Sequence, residues 1–194
     1  LRAVDGVEQR LGPAVILMVG RMLGVERYKG HRCLLNAFPD VVQAFSEAQL
    51  VLAGEGDDRP SLRDVALSLP EAVRARVFMP GYVADDLLRQ LYQACTLFAM
   101  PSTGEGFGLA YLEAMGHARA CLGGKVDATP CVVRDGLTGV LVDDPTSPQQ
   151  VAGALCRMLA HPGRTAEMGR AGYDLVRSYY LYPHFRERFC AAIS

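Results

Sequence analysis

Two carboxylates, Glu105 and Glu113, bracket a glycine-rich stretch running from Pro101 to Met115, with Gly104, Gly106 and Gly108 between Thr103 and Leu109. Before it, Thr96 to Met100 reads as a short buried strand; after it, Leu109, Leu112 and Met115 fall at helical spacing from Phe107 onward. A strand, a glycine loop and a helix in that order leave backbone N–H groups open at a helix N-terminus, where the helix field favours an anion. Carboxylates beside such a site suit hydroxyl groups. The chemistry implied is recognition of a ligand that is part phosphate and part polyol. Two cations, Arg21 and Lys29, sit in the loop after the first apolar run, Ala14 to Val19. Arg can clamp a phosphate with two parallel hydrogen bonds, Lys adds a point charge, and the pair could stabilise a departing diphosphate. Each feature also has a plainer explanation. Acids near helix starts follow the dipole, loop cations are commonly solvated, and the residues alone leave both explanations open.

The elements that must position these groups alternate. Ala14–Val19 is a continuous apolar run, as expected of a parallel strand covered on both faces. A helix follows from Gly30 to about Phe45, and Pro39 is expected to kink or split it. Gln49–Ala53 is a second strand, Pro60–Ser68 a helix, Arg76–Met79 a third strand and Asp85–Gln93 a helix. Cys95–Met100, Ala120–Leu122 and Val140–Val142 complete six strands; residues 127–134 show no clear period. From Ser147 the chain reads as helical, with breaks near Pro162-Gly163 and Pro183. This is an α/β protein with a six-stranded, Rossmann-like, doubly wound parallel sheet. Ligands of such sheets bind beyond the carboxyl ends of the strands. The loops there carry Arg21 and Lys29, Glu55 and Asp57, Glu105, and Lys125 with Asp127. Solvation is expected for Lys125 and Asp127, and a core position for Tyr82 and Val83 over a place in a base pocket.

Composition narrows the function classes. A net charge of −1 over 194 residues gives no electrostatic bias toward nucleic acid or an anionic membrane. The six Cys lack a C-x-x-C pair and the four His are scattered, so neither a metal site nor a disulfide framework is expected, and buried reduced thiols point to the cytoplasm. The His residues are expected to be structural or exposed. No apolar run reaches bilayer length. Leu1 is not an initiator and the first strand starts early, so a fragment of a longer protein is expected. The loop after the first strand matches neither G-x-G-x-x-G nor the Walker pattern, which disfavours a nicotinamide dehydrogenase.

In order, Arg21, Glu26-Arg27-Tyr28-Lys29-Gly30-His31, Leu52-Ala53-Gly54-Glu55-Gly56, Gly81-Tyr82-Val83, Pro101-Ser102, Glu105-Gly-Phe-Gly-Leu-x3-Glu113 and Val133 to Val142 occur along the chain. This motif set resembles the C-terminal, donor-binding half of a retaining GT-B glycosyltransferase of family four, with sucrose and glycogen-type synthases as near relatives. The resemblance implies transfer of a sugar from a nucleoside diphosphate to an acceptor hydroxyl in carbohydrate biosynthesis, without a cofactor or metal. It implies that Arg21 and Lys29 hold the diphosphate and assist its departure, and that Glu105 holds donor-sugar hydroxyls at the reacting carbon. Glu113 would take the ribose hydroxyls, the N–H groups of Phe107, Gly108 and Leu109 would contact sugar or phosphate, and Val83 would lie near the base. The acceptor, a sugar or lipid-linked glycan, would bind mainly to an N-terminal half, through which contact with the inner face of a membrane would come. Residues 1–178 would form the nucleotide-sugar-binding domain and residues 179–194 a helix crossing to that half, with Phe185, Phe189 and Ile193 on one side. The sequence departs from the family pattern at Cys131, where a Glu usually precedes Val132-Val133. Two alternatives stay open: a nucleotide-sugar-binding module without turnover, and, less favoured by the Glu105/Glu113 spacing, an isomerase of the nucleotide-sugar 2-epimerase kind.

Overall fold

The computed structural model describes residues 1–193, except the side chains of Phe185, Glu187, Arg188, Phe189, Ala192 and Ile193. The expected apolar side of the last helix, Phe185, Phe189 and Ile193, therefore lies outside the described residues.

Six parallel strands form one sheet: β1 (Ala14–Val19), β2 (Ala48–Ala53), β3 (Val77–Gly81), β4 (Leu97–Met100), β5 (Ala120–Gly124) and β6 (Gly139–Val142), in the spatial order β3-β2-β1-β4-β5-β6. The chain works outward from β1 in one direction and then from β4 in the other, so the switch point lies between these two central strands. β1 and β2 pair from Ala14 with Ala48 to Val19 with Ala53. Every residue of β2, β4 and β5 is buried, as continuous apolar runs require when helices cover both faces. Gln49 is the polar residue of β2; its side-chain oxygen accepts from the Gly12 N–H at 2.6 Å and its amide donates to the Arg10 carbonyl at 3.1 Å, which satisfies it inside the sheet. Pro80 lies within β3, where a missing N–H is harmless because β3 is an edge strand.

The helices are α1 (His31–Ala44), α2 (Arg59–Ser68), α3 (Glu71–Arg74), α4 (Asp85–Ala94), α5 (Leu109–Gly116), α6 (Thr129–Val132), α7 (Pro148–Ala160), α8 (Pro162–Leu175) and α9 (Tyr182–Ile193). α1 packs on α7 and α2, and α5 on α8. Pro39 does not split α1: one helix runs the whole span. Leu34, Leu35, Phe38 and Val41, on both sides of the proline, are buried in the core, and this packing offsets the lost hydrogen bond, a cost of ~3 kcal/mol. The short helices α3 and α6 were not expected; α6 falls in the stretch without period. The break near the C-terminus falls at Leu181, after a π-helical turn at Val176–Tyr180, and Pro183 lies in the first turn of α9, where proline is tolerated. The Tyr180 hydroxyl donates to the Cys131 carbonyl at 2.8 Å. Cys95 and Cys121 are buried, but Cys131 and Cys190 are exposed, so the expectation of buried thiols holds for only part of the set.

Candidate functional site

The loop between β1 and α1 is built around an acid. Residues 24–29 wind into a 3-10 turn, and Gly30 closes it at φ 85°. The turn points Glu26 inward, leaving it 8 % exposed. Its two oxygens are divided between the cations: Oε1 accepts from the Arg21 guanidinium and Oε2 pairs with the Lys29 ammonium at 2.7 Å. The Lys29 hydrogen bond, with the nearby positive charges, holds the Glu26 carboxyl below its ordinary range despite its burial. Lys29 is largely enclosed while Arg21 projects into solvent. Neighbouring contacts brace the turn: the Gly24 N–H donates to Asp57 at 2.7 Å, and Arg27 pairs with the buried Asp58 at 2.8 Å.

His31, at the first position of α1, is buried beneath this loop, and its Nε2 has no hydrogen-bond partner among the described residues. Burial, and then the Lys29 charge, push its pKa down to about 4, so the ring is neutral at pH 7.

Across the cleft stands the loop between β4 and α5. Gly108 precedes the helix at φ 81°, in the left-handed region that glycine adopts without strain, and no side chain caps the first turn. Tyr111 and Leu112 already donate to the Gly108 carbonyl, at 3.0 and 3.3 Å, and the N–H groups that lead into the helix are met by no capping side chain among the described residues. The Glu105 carboxyl is half-buried in the loop, and its Oε1 is buried without a hydrogen-bond partner among the described residues. Burial raises its pKa; the Lys29 charge and a hydrogen bond to Ser102 act against that rise without cancelling it. One turn into α5, Glu113 is exposed at the cleft, and its Oε2 accepts from the Tyr92 hydroxyl at 3.2 Å.

Between the two walls lies a cavity of about 370 Å³, lined by Gly20, Arg21, Lys29, Glu105, Phe107, Gly108, Leu109 and Glu113, together with Val19, Met100 and Ala110. It sits at the carboxyl ends of β1 and β4, the switch point of the sheet. The structure thus brings together Arg21, Lys29, Glu105, Phe107, Gly108, Leu109 and Glu113. It does not bring Val83 into this lining; that residue is half-buried and packs against the core beyond β3. The expected core position of Tyr82 is incorrect: its ring is 78 % exposed, because β3 ends at Gly81 on the sheet edge. α5 also starts at Leu109 rather than Phe107, and Leu109 faces the cleft rather than the core. Lys125 pairs with Asp143 at 3.4 Å outside the cleft lining, and Glu55 with Arg59 at 3.6 Å. Glu26, Tyr92 and His31 are the residues that sequence reasoning left without a role. The acid lying between Arg21 and Lys29 in one loop was a usable signal for the first. The spacing carries none for Tyr92, which meets Glu113 across 21 positions of sequence through a single hydrogen bond.

Comparison with known proteins agrees with this architecture. Residues 13–161 match the family model described as glycosyl transferases group 1. The D-inositol 3-phosphate glycosyltransferase of Segniliparus rotundus is 33 % identical over 183 residues, covering 88 % of the chain, while the chain spans 38 % of that relative's length. The C-terminal domain of a glycosyl transferase group 1 family protein, LpcC of Francisella tularensis, superposes with a TM-score of 0.78 at 27 % identity, covering 88 % of each chain. Anabaena Alr3699/HepE, solved with UDP and glucose, shares the fold with a TM-score of 0.79 at 21 % identity, over 92 % of this chain and 47 % of that one. The chain belongs to the group 1 glycosyl transferases and has the fold of the C-terminal domain of a GT-B glycosyltransferase.

Proposed function

We propose that the chain binds the nucleoside-diphosphate sugar donor of a retaining glycosyltransferase whose acceptor, a sugar or lipid-linked glycan, is held by a further domain. The observation that carries this reading is the single cleft in which two cations face an uncapped helix start and a carboxylate with an unmet buried oxygen. Arg21 and Lys29 hold the diphosphate and stabilise its charge as it leaves, so this chain's own cations supply what the departing group needs. The N–H groups of Phe107, Gly108 and Leu109 contact phosphate or sugar, and Glu105 accepts donor-sugar hydroxyls. Glu113 takes the ribose, with the base extending toward Val83. In the transfer, the acceptor oxygen bonds to the anomeric carbon on the face from which the diphosphate departs, and the acceptor proton passes to the diphosphate. The complex of Anabaena Alr3699/HepE with UDP and glucose supports the ligand class.

A second reading has its own support. The chain spans 38 % of its Segniliparus relative, so taken alone it acts as a binding module without turnover.

The test is a thermal-shift series with UDP, GDP and ADP and their glucose conjugates. At least one nucleotide raises the melting temperature, and Arg21→Ala and Glu113→Ala each remove the rise; a flat response across all ligands refutes the donor site. Sugar transfer by this chain alone would refute the module reading.

A further inference from the structure

The donor reading assigns Glu113 to the ribose but leaves open what aims it. Glu113 stands on the exposed side of α5, where a glutamate ordinarily samples several rotamers. Here it is tied from below. Tyr92 projects from α4 and is fully buried, its ring stacked on His117 with centroids 4.9 Å apart and planes 7° apart, and tilted against Phe98 at 6.3 Å. A ring clamped on two sides cannot swing its hydroxyl to another partner. That hydroxyl reaches Glu113 Oε2 at 3.2 Å. A hydroxyl at this depth needs an acceptor, and the carboxylate supplies it from the cleft side. Burial, and then the Glu113 charge, raise the Tyr92 pKa well above its ordinary value, so the hydroxyl keeps its proton and acts as donor.

We infer that Tyr92 is a positioning residue: by holding Oε2 of Glu113, it turns Oε1 toward the cleft and pre-forms an acceptor for the ribose hydroxyls of the donor nucleotide. This rests on the donor-site reading above. The carboxylate keeps enough lone pairs to accept from a vicinal diol while one oxygen is anchored. Anchoring removes in advance the rotamer freedom that ribose binding would otherwise have to freeze. The bond therefore contributes to affinity only for ligands that present ribose hydroxyls, and it selects ribonucleotides over dideoxynucleotides.

The experiment is calorimetric titration of the chain with UDP, ADP and GDP and with their 2′,3′-dideoxy counterparts. Tyr92→Phe keeps the ring against His117 and Phe98, and the melting temperature of the unliganded variant checks that packing. The expected result is that Tyr92→Phe weakens the ribonucleotide that binds by roughly 3- to 10-fold and leaves its dideoxy counterpart unchanged. Equal weakening of both ligands, or none, overturns the positioning role while leaving the donor site standing. Absence of binding by all three ribonucleotides to the unmodified chain overturns the donor site and this inference together.

Discussion

The two walls of the cleft are organised in opposite ways. On the β1 side the charges are already settled: Arg21 and Lys29 share Glu26. On the β4 side they are unsettled: among the described residues, Glu105 keeps a buried oxygen without a partner and α5 begins without a side-chain cap. One wall resembles a finished ion-pair network and the other an unfinished one. The contrast teaches where binding energy is available. A ligand gains most where polar groups are unmet, and meets on the other side cations whose positions are fixed in advance.

Acidification gives the widest break in this contrast. His31 lies under the settled wall with its pKa lowered to about 4 from 6.5. In the unfolded chain it protonates as pH falls through 6.5, whereas in the fold it resists until about 4. Its contribution is therefore intact above pH 6.5 and is lost across the window from 6.5 down to 4, a change of about 3 kcal/mol. Chemical denaturation across that window should show this slope, and His31→Gln should flatten it; an equal slope in both proteins would place the acid sensitivity elsewhere.

Lys29→Ala comes next. It leaves the enclosed Glu26 carboxylate with only the solvent-facing Arg21, at a cost of about 2 kcal/mol. Adding Glu26→Gln should restore the melting temperature without restoring nucleotide binding. Recovery of both would mean that Lys29 serves the loop alone.

The smallest effect lies on the unsettled wall and has the opposite sign. Because burial raises the Glu105 pKa, its ionised form burdens the free protein once pH rises through the ordinary carboxylate range. At pH 7, Glu105→Gln should raise the melting temperature of the free chain by about 1–2 °C and abolish the extra shift that a nucleotide sugar gives over its nucleotide. A drop in melting temperature would show that Glu105 is already satisfied.

The sheet was largely legible in the sequence because burial on both faces writes itself as apolar runs, and the six strands fall within two residues of where those runs sit. The cleft was legible where local chemistry marks it, at Arg21, Lys29, Glu105 and Glu113. Contacts between elements were not. Tyr92 reaches Glu113 across 21 positions of sequence, and no periodicity announces that meeting. Glu26 is carried inside by the 3-10 turn, which its sequence neighbours do not announce. Pro39 misled because local propensity argues for a break while the packed face of α1 holds the helix together. Tyr82 misled in the other direction, since an aromatic beside a strand says nothing of which edge of the sheet that strand occupies.

Gly30 carries a consequence for how this protein can diverge. A Cβ placed there would stand 2.3 Å from the Pro101 carbonyl oxygen, so the last residue of the cation loop abuts the first residue of the glycine-rich loop. Any side chain at position 30 would wedge the two loops apart and spoil both at once. Drift in ligand preference must therefore come from positions that leave this junction closed, such as Leu109 at the rim or Tyr82 at the sheet edge. The protein is free to change what its cleft recognises, but not the seam along which the cleft is joined.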